Sequence, residues 1–141
     1  SPSPWFILRA WCAHLLLNTD PQAPSHHTHL VSTDGVSTFA PENDAAHLLC
    51  QLLAIYSEGL CRPLPFFPRS AWKFVNAPRS PYSAAYATWM GSEFGPVQGE
   101  SGNPYFALAF RDCLETALDD EFESLALQLL GTPKERLQEG L

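Results

Sequence analysis

The chain has 141 residues, the usual size of one folded domain, and 45% of them are hydrophobic. Its formal net charge of −7 argues against a protein that wraps nucleic acid over its whole surface. Arg9 and His14 interrupt the longest apolar stretch, residues 5–17, so no run reaches the ~20 residues that span a bilayer. We therefore expect no membrane contact, and we expect the chain to fold as a single domain over residues 1–141.

The first sixty residues predict a helix, a hairpin and a second helix. Residues 5–17 carry apolar side chains at three-four spacing, which predicts a helix whose buried face is Trp5, Leu8, Trp11, Cys12, Leu15 and Leu16. Asp34-Gly35 stands between two β-prone runs, 29–32 and 36–39, and predicts a hairpin. Residues 42–58 predict a helix with a broad apolar face made of Ala45, Leu48, Leu49, Leu52, Leu53 and Tyr56.

The rest of the chain predicts short helices around one extended segment. Prolines at 63, 65 and 68 remove backbone donors, so this stretch predicts an edge strand or an extended rigid segment. Helices are predicted at 70–75, at 80–91, and twice between Asn103 and Leu130, with a Gly-rich loop over 93–104. We expect residues 1–4 to be linker and residues 132–141 to be a frayed tail. The order α-β-β-α-β-α-α-α predicts an α/β or α+β fold, with few strands packed by several helices.

Charge is unevenly distributed along the chain. Between residues 62 and 79 there are four cations and no Asp or Glu, namely Arg62, Arg69, Lys73 and Arg79. One interpretation is that these cations contact phosphates while Phe66, Phe67 or Trp72 stacks on bases. The other is that the aromatic residues form core and the cations are solvated. Residue type favours the core for the aromatic residues and leaves the role of the cations open.

An acidic segment follows, with eight carboxylates against two bases over residues 112–141. A charge run of this kind predicts a solvated helix face, and the alternative is a docking patch for a basic partner. Glu100, in the Gly-rich loop, has two interpretations as well: it caps the following helix, or it pairs with an arginine.

Patterns of catalysis and metal binding are weak. His26, His27 and His29 lie together, but no carboxylate or thiol stands at a matching spacing, so we expect solvated loop histidines. The four cysteines lack the spacing of a zinc site and predict reduced thiols in a cytoplasmic protein, with a disulfide pair as the less favoured alternative: Cys12, Cys50, Cys61 and Cys113. A magnesium-dependent nuclease usually has an acid two residues before a lysine, and neither Lys73 nor Lys134 has one. We expect no catalytic residue, no metal ligand and no cofactor.

Three stretches of the chain, 8–17, 39–72 and 99–112, resemble the C-terminal domain of RecC, the gamma subunit of exodeoxyribonuclease V (the RecBCD helicase-nuclease). Order and spacing agree from about residue 8 to residue 131. The matching features are Trp11, His14-Leu15, Tyr56, Glu58-Gly59-Leu60, Pro63-Leu64, Pro68, Trp72, Gly99-Glu100 and Pro104-Tyr105. Their occurrence together and in register makes the resemblance specific.

The resemblance implies a partial, inactivated nuclease-like domain of the PD-(D/E)XK type. In that family the core hairpin lies upstream of the position of Ser1, so we expect the chain to be a fragment of a longer protein. The implied role is non-enzymatic: to scaffold RecB and RecD and to guide the split strands of a DNA fork. Such a protein acts in bacterial double-strand break repair by homologous recombination, and its Chi-reading residues are expected elsewhere in RecC.

Under this resemblance the 62–79 segment fits either DNA or partner contact, and the candidate DNA-binding residues are Arg62, Arg69, Lys73 and Arg79, with no catalytic or metal residue. Two alternatives remain open. One is an active metal-dependent nuclease domain, and the other is a protein-interaction module that does not contact DNA.

Overall fold

The computed structural model describes residues 3–91 and 98–139 of the chain. Its helices are α1 (Pro4–Asn18), α2 (Ala45–Gly59), α3 (Pro68–Asn76), α4 (Pro81–Met90), α5 (Pro104–Ala109), α6 (Asp120–Ala126) and α7 (Thr132–Arg136). Its strands are β1 (Thr28–Ser32), β2 (Gly35–Phe39) and β3 (Leu137–Glu139). Helices with one small antiparallel sheet make an α+β arrangement, as predicted. The nuclease-like relationship stays a prediction.

The chain divides into two compact units. One unit comprises Ser1–Leu60 with Gly131–Leu141, and the other comprises Cys61–Leu130. The expectation of a single domain over residues 1–141 stays a prediction. Of the predicted Gly-rich loop, residues 93–97 lie outside the described residues.

In the first unit, α1 begins at Pro4, inside the stretch predicted to be linker. The Ser3 hydroxyl accepts a hydrogen bond from the Phe6 N–H at 3.3 Å, and Pro4 occupies a first-turn position that needs no donor. The predicted helix is confirmed, but its buried face is different. Trp5 and Leu16 are 56% and 63% exposed, while the buried residues are Ile7, Trp11, His14 and Leu15.

His14 explains part of that difference. Its ring lies 5.5 Å from the Trp11 ring and 5.2 Å from the Phe39 ring, between centroids. Its Nδ1 forms a 3.0 Å hydrogen bond with the Thr28 hydroxyl, so a polar side chain can be buried without an orphaned group. A hydrophobic pattern alone assigns such a histidine to the surface.

The sheet has the order β1-β2-β3, and both pairs are antiparallel. Val31 pairs with Val36 and Ser32 with Gly35, which confirms the predicted hairpin. Gly35 has φ +141°, a backbone conformation that favours glycine. Residues 62–68 were predicted to form an edge strand or an extended rigid segment; no strand forms there, and the third strand is β3, where Leu137 pairs with Phe39. The expected frayed tail was therefore wrong over residues 132–139, which form α7 and β3.

Helix α2 leaves most of its apolar side chains partly or fully exposed. Ala45 is its one buried residue, and α2 contacts α1. Leu53 and Tyr56, predicted to line the apolar face, are 54% and 65% exposed. A helix buries only the strip that meets a neighbour, so the broad apolar face overstated the burial.

The second unit is built around Phe67, which is fully buried. Its ring lies 4.0 Å from Trp89, 5.1 Å from Phe106 and 5.2 Å from Phe110, between centroids. Helix α3 packs against α4 and α6, and the Trp89 indole N–H donates to the Leu114 carbonyl at 2.9 Å. Such aromatic clusters contribute large buried areas with preferred ring geometry. The core interpretation of Phe67 is confirmed, and the possibility that it stacks on bases is excluded.

Candidate nucleic-acid interface

Helix α3 presents a cationic face opposite its buried face. Pro68, Ser70, Ala71 and Phe74 are its buried residues. Arg69 and Lys73 are exposed and four residues apart, which puts them on the same side with Cα atoms about 6 Å apart. Asn76, three residues after Lys73, extends this exposed side by one turn. Trp72 flanks it and is partly exposed.

The start of α3 is capped from a distant part of the chain. Phe67 at the N-cap position has no side-chain acceptor, so the first N–H groups need another partner. The Glu100 carboxylate accepts from the Arg69 N–H at 3.0 Å, from the Ser70 N–H at 2.7 Å and from the Ser70 hydroxyl at 2.8 Å. Glu100 is only 6% exposed. It therefore stabilises the positive end of α3 from within the unit.

Neither interpretation of Glu100 made from the sequence anticipates this contact. The following helix, α5, is capped instead by Asn103, whose side chain accepts from the Tyr105 N–H at 3.0 Å. Gly99 lies directly against the backbone of Met90 and Trp89 at the end of α4, where a Cβ atom would clash. A glycine before a buried acid is the one local signal that points to such a close approach.

The four predicted cations differ in their surroundings. Arg62 makes a bidentate contact with Glu121: its Nη1 donates to Oε2 at 3.2 Å, and its Nη2 contacts Oε1. Arg69, Lys73 and Arg79 are exposed, and within the ranges 3–91 and 98–139 no carboxylate forms an ion pair with them. Arg79 lies in the turn between α3 and α4. The positive potential of this segment thus comes mainly from three cations.

Several carboxylates of the acidic run have partners inside the second unit. The Asp119 side chain caps α6 by accepting from the Phe122 N–H at 2.9 Å. Glu123 accepts from the Tyr82 hydroxyl at 2.5 Å, and this hydrogen bond is the main reason that the pKa of Tyr82 rises to about 12. Because Glu121 binds Arg62, the acidic residues at the start of α6 make contacts within the second unit and do not serve only as a solvated face.

The histidines and cysteines do not assemble into a site. His26 Nε2 lies 3.0 Å from the Asp20 carbonyl, and His29 Nδ1 lies 2.9 Å from the Thr38 hydroxyl. In the part of the chain that the structure describes, no group of three or more His, Cys, Asp or Glu could hold a metal ion. All four cysteines have free thiols. Across the same residues, no helix combines the length and the apolar character needed to cross a membrane.

The family model described as the RecC C-terminal domain matches residues 2–79, which is more than half of the chain. The match runs through α1, the hairpin, α2 and α3, and it ends at Arg79, the last of the four cations. No curated protein matched the chain in this comparison.

Proposed function

The chain belongs to the RecC C-terminal domain family, and on this premise we propose that it is a non-catalytic part of a RecC subunit that guides split DNA strands. Membership makes it part of a RecC subunit, and the RecC family implies the RecBCD complex of DNA repair. Beyond that, we propose that it scaffolds RecB and RecD in the bacterial cytoplasm during homologous recombination. In this proposal its contribution is shape and charge, without bond chemistry, from an inactivated nuclease-like fold.

The observation that supports DNA contact is the exposed cationic face of α3. Arg69 and Lys73 share one exposed face, and Arg79 follows in the next turn. Arginine and lysine bind phosphate through charge-assisted hydrogen bonds, and cations without a carboxylate partner are free to make them. Arg62 stays in the proposed set as the weakest member, because Glu121 competes with phosphate for its guanidinium.

The test is binding to a DNA fork, a duplex with two single-stranded arms, measured by fluorescence anisotropy at two salt concentrations. Three phosphate contacts give a log–log salt slope of about −2.7, which weakens binding about 40-fold between roughly 50 and 200 mM salt. Arg69→Gln, Lys73→Gln and Arg79→Gln should each reduce the slope by about 1. Arg9→Gln is the matched control, because Arg9 is an exposed arginine on α1, outside residues 62–79.

Two results would contradict this function. Binding that does not depend on salt, or that Arg9→Gln weakens as much as Arg69→Gln, would remove the phosphate surface. Cleavage of the labelled fork by the chain in the presence of Mg²⁺ or Mn²⁺ would instead establish the active nuclease alternative.

A protein-interaction role is the second candidate, and the exposed apolar side of α2 favours it. Leu53 and Tyr56 are both more than half exposed on one helix, and exposed apolar patches of this kind commonly mark protein contacts. We place the contact with RecB or RecD on this side of α2. Leu53→Ser should weaken co-elution with the purified partner subunit, whereas Ala54→Ser, a change at an exposed neighbouring position, should not.

A further inference from the structure

We infer that Trp72 is the residue of α3 that recognises DNA bases, by stacking on an unpaired base while the neighbouring cations hold the phosphates. This inference rests on the proposed function and adds to it a specificity-determining side chain. The form of DNA that this face accepts is then a strand whose bases are not already stacked inside a duplex.

Trp72 lies at the edge of the cationic face of α3. Trp72 is three residues after Arg69, which makes the two side chains neighbours on the helix surface, and four residues after the buried Pro68, so it lies at the border between the cationic and the buried face. Its carbonyl accepts a hydrogen bond from the Asn76 side chain at 2.8 Å, inside the last turn of α3. A large aromatic side chain beside two phosphate-binding cations is the combination used by proteins that bind single strands.

The other aromatic residues of the segment are less suited to this role. Phe67 is fully enclosed by the rings of Trp89, Phe106 and Phe110. Phe66 is partly exposed but precedes α3, and its N–H is bound to the Leu64 carbonyl at 2.7 Å in a tight turn. Across the residues that the structure describes, no aromatic contact engages the Trp72 ring. Trp72 is therefore partly exposed and has a ring face without an aromatic partner.

The other three tryptophans are either buried or outside residues 62–79. Trp11 and Trp89 are at most 1% exposed, and each has ring partners. Trp5 is 56% exposed, but it lies on α1, in the other unit. Among the four tryptophans, only Trp72 is both accessible and next to a cation in the sequence.

The experiment compares three ligands of equal length: an oligothymidylate of about 12 nucleotides, the same strand in a duplex, and an abasic deoxyribose-phosphate strand. Trp72→Leu should bind the oligothymidylate about tenfold more weakly, the effect typical of one stacked base. Its binding to the duplex and to the abasic strand should change less than about twofold. Trp72→Tyr should restore most of the loss, because a tyrosine ring also stacks.

Phe66→Leu is the matched control, since it removes a partly exposed aromatic residue from the same segment without touching the cationic face. Circular dichroism checks that each variant is folded. If Trp72→Leu leaves oligothymidylate binding unchanged while Lys73→Gln weakens it, the inference is wrong and the proposed function stands. If the wild-type chain binds none of the three ligands, both are wrong. An equal loss on the abasic strand would show that Trp72 only supports the fold.

Discussion

Removal of the Glu100 carboxylate should destabilise the second unit more than removal of any exposed acid. Glu100→Ala leaves three donors without their acceptor: the Arg69 N–H, the Ser70 N–H and the Ser70 hydroxyl. Because Glu100 is 6% exposed, water cannot easily replace it. A hydrogen bond to a charged group contributes about 1.5–3 kcal/mol, but the three share one carboxylate whose own burial is costly. We expect a net loss of about 3 kcal/mol.

The assay is urea unfolding followed by tryptophan fluorescence and by circular dichroism. With a slope of about 2 kcal/mol per molar urea, the unfolding midpoint of Glu100→Ala should fall by about 1.5 M. Ser70→Ala removes one of the three hydrogen bonds and should cost about 1 kcal/mol. The double variant should cost less than the sum of the two single variants, because both changes break the Glu100–Ser70 contact.

Glu115→Ala is the matched control, because Glu115 is an exposed acid in the same unit. Its free energy of unfolding should stay within about 0.5 kcal/mol of the wild type. If Glu100→Ala is no more destabilising than Glu115→Ala, the carboxylate does not cap α3 in solution, and the reasoning about how the cationic face is held in place is wrong.

Three further predictions follow from the titrating groups. Burial lowers the pKa of His14, so its neutral form is favoured in the fold; this stability is present above about pH 6.5 and is lost as pH falls through the folded-state pKa. Unfolding measured from pH 7 to pH 5 should therefore depend less on pH in His14→Gln, and an unchanged dependence would contradict the assignment. Absorbance titration should show one phenol with a pKa near 12. That ionisation should be absent in Tyr82→Phe, and its pKa should shift back toward about 10 in Glu123→Gln. Because the raised pKa favours the neutral phenol, the Tyr82–Glu123 hydrogen bond stabilises the fold below about pH 10, and this stability is lost as pH rises through 12. Thiol alkylation followed by mass spectrometry should label Cys12 last, since burial raises its pKa while the other three cysteines are exposed, and early labelling of Cys12 would argue against that burial.

Local pattern predicted much of the secondary structure. The three-four spacing of residues 5–17 corresponds to α1, and the Asp34-Gly35 step corresponds to the β1–β2 hairpin. The α3 and α4 helices lie where short apolar patterns predicted them, and Gly91, with φ +77°, ends α4. These features succeed because spacing, turn chemistry and capping act between residues close in the chain.

Burial was harder to predict, because the strip of a helix that is covered depends on its neighbours. Apolar spacing placed Trp5 and Leu16 in the core, yet both are exposed, whereas His14 is buried beside Trp11 and Phe39. Likewise β3 arises in a segment whose composition predicts a frayed end, because β2 offers an unpaired edge for Leu137 and Gln138.

The sequence by itself determined the helical periodicity, the hairpin turn, the family, and the concentration of positive charge between residues 62 and 79. Only the tertiary structure decided which of those charges are available. It paired Arg62 with Glu121, 59 residues away, and left Arg69 and Lys73 exposed on α3. It also placed the Glu100 carboxylate at the start of that helix, from 30 residues further along the chain. Such contacts depend on which distant segments the fold brings together, and no short-range spacing in the chain encodes that.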